Sequence, residues 1–171
     1  MNQVREIVTK AVVAKGKKNV RIDAKILGNE PIYSILGCIV INNKFDAKRE
    51  NFDIYIDGSF ELNVWYSTMN NSQTEILKQV VYYKENVKTK QIINDFVSRD
   101  DDIIVKVDSH PSCQDVKIND NEVNVTIEFE LAVDVIGETK IQISILDNVE
   151  VFLDDDEDFT SQINQNYIGK K

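Results

Sequence analysis

The chain has 171 residues, the size of one ordinary domain or of one domain with a tail. It contains 20 Val and 22 Ile but only 7 Leu and 5 Ala, and because branching at Cβ suits pleated strands, this ratio excludes an all-helical bundle. The formal charge of −9 argues against a nucleic-acid partner. No apolar run approaches the roughly 20 residues of a membrane-spanning helix, so we do not expect a membrane protein.

The N-terminal segment, residues 1–15, has two interpretations. No apolar stretch precedes its first charges, so we expect no secretory signal. One interpretation is a helix with an apolar stripe at the spacing i, i+3, i+4. The other, which we favour, is a strand, because its apolar residues are mostly branched at Cβ; residues 15–18 would then form a turn into a strand at 20–26. A terminal strand can exchange between subunits, which makes four residues candidates for self-assembly: Ile7, Val8, Val12 and Val13.

The clearest strand signal covers residues 52–66, where apolar side chains fall on even positions and polar ones on odd positions. Gly58 is expected to mark a bulge or bend within this strand. The pair Asn70-Asn71 predicts a turn before the next strand, at 75–84. Shorter strands are predicted at 35–41 and 103–107.

The second half of the chain continues this pattern. Turn-forming residues at 119–121 predict a hairpin between strands at 116–118 and 123–131. The run 133–136 extends the second strand, and residues 137–139 predict a further hairpin to 141–145. A short helix is predicted at 89–98. Residues 1–150 are therefore expected to form an all-β domain, an antiparallel β-sandwich or a partly open barrel.

The C-terminal segment, residues 151–171, is expected to be a flexible acidic tail. Residues 147–171 carry −5 of the net charge of −9. A block of like charges repels itself and resists folding. We regard this block as a candidate partner-binding site: Asp154, Asp155, Asp156, Glu157 and Asp158.

No constellation of residues indicates catalysis, a cofactor or a metal. His110 is the one histidine, and no nucleophile motif or acidic partner accompanies it and Cys113. His110, Cys113 and Asp108 could supply three zinc ligands, but Asp is a weaker zinc ligand and no Cys-x-x-Cys motif is present. Cys38 lies in an apolar run and is expected to pack as a small hydrophobic residue. Cys113 follows a proline and is expected on an exposed turn, where it is a candidate for cross-linking subunits.

Aromatic residues on the polar face of the strand at 52–66 offer another lead. Tyr55 and Trp65 occupy odd positions, and the pair Tyr82-Tyr83 must place one ring on each face of its strand. Tyr55 and Trp65 are candidates for self-assembly through a second buried layer. The alternative is a carbohydrate-binding module that stacks sugars on these rings.

Seven segments in the same order carry a resemblance to a known family, at residues 5–16, 34–37, 41–47, 62–67, 111–113, 129–133 and 135–140. Together the chain resembles the CotE family of outer spore coat morphogenetic proteins. The resemblance implies a non-enzymatic structural protein, made in the mother-cell cytoplasm during sporulation and then located in the outer spore coat. It also implies self-association and recruitment of other coat proteins, to which an acidic tail contributes; the tail of this chain is shorter than the family's.

Overall fold

A computed structural model describes residues 3–50, 53–92 and 100–145. These residues form two antiparallel sheets, which do not close into a barrel, and they contain no helix. The predicted all-β fold and its sandwich form are therefore confirmed. Seven strands make up the sheets: β1 (Gln3–Leu27), β2 (Ser34–Glu50), β3 (Asp53–Thr68), β4 (Gln73–Val87), β5 (Thr89–Gln91), β6 (Asp102–Asn119) and β7 (Glu122–Ile145).

The strand order is β5-β1-β7-β6 in one sheet and β2-β3-β4 in the other. By its contacts the chain divides into two units, residues 8–140 and residues 1–7 with 141–171. The unit of residues 8–140 contains the sandwich core and every surface described below except the extreme N-terminus. The predicted boundary at residue 150 and the acidic tail at 151–171 lie outside the described residues.

The three-stranded sheet confirms the strand predicted at 52–66. Its even-numbered side chains from Ile54 to Tyr66 are buried, with the exception of Gly58. The bulge predicted at Gly58 is wrong, because β3 and β4 pair without a register shift along their whole length. Two irregularities lie in β2 instead, one between Ile35 and Gly37 and one where Asn42 and Asn43 together lie opposite Phe60. Asn42 has a φ of 55°, a left-handed conformation that Asn tolerates better than most residues.

The first strand is longer than predicted. The strand interpretation of the N-terminus is confirmed, but the turn at 15–18 is wrong because β1 continues through it to Leu27. A Cβ atom on Gly16 would lie 2.6 Å from the carbonyl oxygen of Lys88. The glycine therefore makes room for Lys88, which lies between β4 and β5 and precedes Thr89, the β5 residue that pairs with Gly16.

The last strand is also continuous. The hairpin between β6 and β7 is confirmed, with Asp120 and Asn121 at its turn. The turn predicted at 137–139 is wrong, because β7 runs on to Ile145. A Cβ atom on Gly137 would lie 2.8 Å from Oδ1 of Asp101, so this glycine too makes room for a neighbouring segment. The helix predicted at 89–98 is wrong at 89–91, which form β5, and residues 93–98 lie outside the described part of the chain.

The core lies between the two sheets. Even-numbered residues of β3 from Ile54 to Tyr66, except Gly58, meet odd-numbered residues of β7 from Val123 to Val135, all of them nearly inaccessible to solvent. Three aromatic rings join the sheets: the centroids of Tyr83 and Phe129 are 5.0 Å apart, and Phe60 meets Phe129 edge to face at 6.2 Å. Each sheet thus directs one side towards the core, and its other side forms an outer face. The outer faces of the two sheets differ in chemistry.

Candidate interaction surfaces

The outer face of the four-stranded sheet, the charged face, is covered by ion pairs that join its strands, some of them across the intervening strand β7. Lys17 of β1 contacts Glu130 of β7 at 3.0 Å and also Asp108 of β6. This arrangement raises the pKa of Lys17 and lowers the pKa of Asp108, in each case mainly through the hydrogen bond that joins the two. Further inter-strand pairs are Lys10 with Asp102, Arg21 with Glu128, Lys25 with Glu122 and Lys106 with Asp134. A face of this kind is well solvated.

The outer face of the three-stranded sheet, the three-stranded face, carries apolar side chains at one end. Trp65 of β3 is half-buried, and it lies between Gly37 of β2 and Ile76 of β4. Four other apolar or aromatic residues on this face are exposed: Ile39, Ile41, Val80 and Tyr82. An apolar patch on the outside of a sheet marks a candidate interaction site.

Tyr55 and Trp65 both lie on the three-stranded face, but they do not form one site. They are ten positions apart on β3, which corresponds to roughly 33 Å along a strand. The amine of Lys84 lies 4.7 Å from the centroid of the Tyr55 ring and covers it. Tyr82 is exposed on this face while Tyr83 points into the core, so the expectation of one ring on each face is confirmed. Tyr55 is therefore not part of a pair of neighbouring, accessible aromatic rings on which a sugar chain could stack. This weakens the carbohydrate-binding alternative.

The four N-terminal candidates differ in exposure. Ile7 and Val8 are 43% and 58% exposed, while Val12 is partly buried and Val13 is 1% exposed within the core. Val13 therefore stabilises the fold, and only Ile7 and Val8 are available to a partner. The strand that contains them is already hydrogen-bonded to β7 in its own sheet.

The two cysteines form a disulfide that sequence reasoning missed. Cys38 of β2 and Cys113 of β6 have Cα atoms 6.2 Å apart, and the bond joins an edge strand of one sheet to an edge strand of the other. Cys113 is partly buried in a strand, so the exposed turn predicted for it is wrong. The bond occupies the thiol that we considered for cross-linking, and a link between subunits would first require thiol–disulfide exchange.

A cleft of about 550 Å³ opens on the charged face, lined by residues of β1, β6 and β7. It opens where β6 departs from β7, between Ser109 and Ser112. Its charged groups include Arg21 and Glu128, which pair with each other at 3.4 Å. Within the described ranges, no group of three or more His, Cys, Asp or Glu side chains is placed to hold a metal ion.

Comparison of the sequence with known protein families identifies a family to which the chain is similar. The chain matches the family described as outer spore coat protein E (CotE) over residues 3–169. Searches of the curated proteins and of the solved structures find no match. In the described parts of the chain, no helix is long and apolar enough to cross a membrane.

Proposed function

The chain belongs to the outer spore coat protein E family and is thus a spore coat protein, and we propose that it is a non-enzymatic building block that self-associates and recruits other coat proteins. In this proposal it is made in the mother-cell cytoplasm during sporulation and assembles around the forespore. The observation that carries the proposal is the extent of the family match, which includes the β-sandwich as well as the acidic C-terminal segment.

Two exposed apolar surfaces support self-association. At the N-terminus, Val4 and Ile7 are exposed in one unit and Val8 in the other. The three-stranded face supplies the second surface, around Trp65. Exposed apolar patches on a folded protein are favourable to bury against a partner, since burial removes apolar area from water.

The proposed recruiting element is the acidic block from Asp154 to Asp158. Its five carboxylates attract basic segments of other coat proteins, and this attraction weakens as salt screens it. The charged face is a poorer candidate for such a role because its lysines and carboxylates are already paired with each other.

Sedimentation velocity and negative-stain microscopy of the purified full chain test self-association. We expect large species or extended polymers at micromolar concentration. A variant that ends at residue 146 should still assemble but should lose salt-sensitive binding to basic coat proteins. If the full chain stays monomeric under all conditions, self-association is wrong. If the shortened variant binds coat proteins as well as the full chain does, the tail is not the recruiting element.

A further inference from the structure

We propose that the three-stranded face is the surface through which two copies of this chain associate, packed face to face with their strands antiparallel. This inference rests on the proposed self-association and deepens it by naming the surface and its arrangement. It is independent of the N-terminal segment, which lies on the other sheet.

The register of the sheet shows how its outer side chains are arranged. Residues that pair across neighbouring strands point to the same face, so the face can be described as rows across β2, β3 and β4. Four successive rows hold the apolar patch: Gly37, Trp65 and Ile76; Ile39, Asn63 and Lys78; Ile41, Glu61 and Val80; Lys44, Ser59 and Tyr82. Seven of these twelve positions are apolar or aromatic when Gly37 is included.

The patch is flat enough for another sheet. Trp65 pairs with Gly37, which has no side chain, and even a Cβ atom at that position would lie 4.0 Å from the indole ring. Sheets with such faces pack about 10 Å apart with their strands roughly aligned. At the far end of the face, two ion pairs form within the chain: Lys48 contacts Asp57 at 3.2 Å, and Lys84 contacts Glu50 at the same distance.

The size of the face suits a second copy. β3 and β4 pair over 15 positions. Three strands of that length cover roughly 50 Å by 14 Å, or about 700 Å², which is close to the ~800 Å² that each partner of a standard interface buries. The charged face is less suited, because a second copy would have to remove at least six ion pairs from water there, against two on the three-stranded face.

Charge then selects the antiparallel arrangement. If the two copies were related by a two-fold axis parallel to β3, their strands would run parallel and Glu61 of one copy would lie opposite Glu61 of the other. The two like charges would repel each other. A two-fold axis across the strands, between the Asn63 row and the Glu61 row, places Glu61 opposite the neutral Asn63 of the second copy. The same axis places Ile39 opposite Ile41 and Ile76 opposite Tyr82, which are apolar contacts, while Trp65 meets Ser59 and Val80 meets the aliphatic stem of Lys78.

The chain contains one tryptophan, so its fluorescence reports directly on this face. We expect the Trp65 emission to shift to shorter wavelength and to resist acrylamide quenching as the protein concentration rises. The variant Ile41→Lys should weaken association at least tenfold and abolish that shift. Its matched control is Ile104→Lys, on the charged face, since Ile41 and Ile104 are 37% and 41% exposed; this variant should associate like the wild type.

The outcomes separate the two proposals. If Ile41→Lys associates as the wild type does, this face is not the interface, although self-association stands. If the wild type never associates, both proposals fail.

Cysteine cross-linking tests the antiparallel arrangement. A short bifunctional maleimide is added to a mixture of the variants Ile39→Cys and Ile41→Cys, in which the two native cysteines are held in the disulfide. We expect more cross-linked dimer in the mixture than with either variant alone; no dimer in the mixture overturns the antiparallel arrangement.

Discussion

The ring of Tyr83 occupies the space that a side chain at Gly58 would need. The two residues are paired on neighbouring strands, and a Cβ atom on Gly58 would lie 2.2 Å from Cζ of Tyr83. The ring lies there because it also contacts Phe60 and Phe129, and its hydroxyl donates a hydrogen bond to Oδ1 of Asn43, 3.2 Å away in the β2 bulge. One glycine thereby allows an aromatic contact between the two sheets.

We predict that Gly58→Ala destabilises the fold by about 1–3 kcal/mol, because the added methyl group must displace a packed aromatic ring. Urea unfolding measures this change. Gly37→Ala is the matched control: it lies on β2, the nearest atom to its new Cβ would be 4.0 Å away, and we expect a change within about 0.5 kcal/mol. Equal effects of the two substitutions would contradict the contact between Gly58 and Tyr83.

The same tyrosine predicts a loss of stability in alkali. Burial raises the pKa of Tyr83 to about 12, against about 10 in an unfolded chain. Because the folded state holds the phenol proton more tightly, the stabilisation is fully present below about pH 10 and is lost as the pH rises towards 12. The urea midpoint should therefore fall over this range, and by less in Tyr83→Phe, which has no proton to lose. An identical fall in both proteins would show that Tyr83 does not carry the effect.

The disulfide is expected to stabilise the sandwich. It joins residues 75 positions apart, and closing a loop of that length typically contributes about 2–4 kcal/mol. Dithiothreitol should therefore lower the urea midpoint of the wild type. It should not change the midpoint of the double variant Cys38→Ser with Cys113→Ser, which should already resemble the reduced wild type. Two thiols that react with maleimide in the unreduced, folded monomer would contradict the intramolecular bond.

Local sequence patterns predicted the strands well where one face is buried and the other is wet. The alternation in β3 is the clearest example, because its core side and its outer side differ in nearly every row. The same reasoning ended strands too early at Gly16 and Gly137. A glycine normally indicates a turn, but here each glycine makes room for a segment far away in the sequence, Lys88 in one case and Asp101 in the other. Only the tertiary fold reveals that need.

The candidate surfaces were predictable in part. The position of Trp65 on an outer face follows from its odd number in an alternating strand. The neighbours that make it part of a patch, such as Ile39 and Val80, could not be found, because their rows depend on the register of three strands and on the bulge at Asn42. The pairing of Cys38 with Cys113 likewise requires β2 and β6 to be adjacent across the sandwich.

The N-terminal segment provides the last prediction. Ile7→Glu and Val8→Glu place a charge on exposed positions, so the free energy of unfolding should change by less than about 0.5 kcal/mol. If this segment contributes to self-association, both variants should sediment as smaller species than the wild type. Val13→Ala is the contrasting variant: because Val13 is buried, it should lower the stability by about 1–3 kcal/mol and leave the association of the folded protein unchanged. Assembly that persists in Ile7→Glu and Val8→Glu would remove the N-terminal segment as an interface and leave the three-stranded face as the remaining candidate.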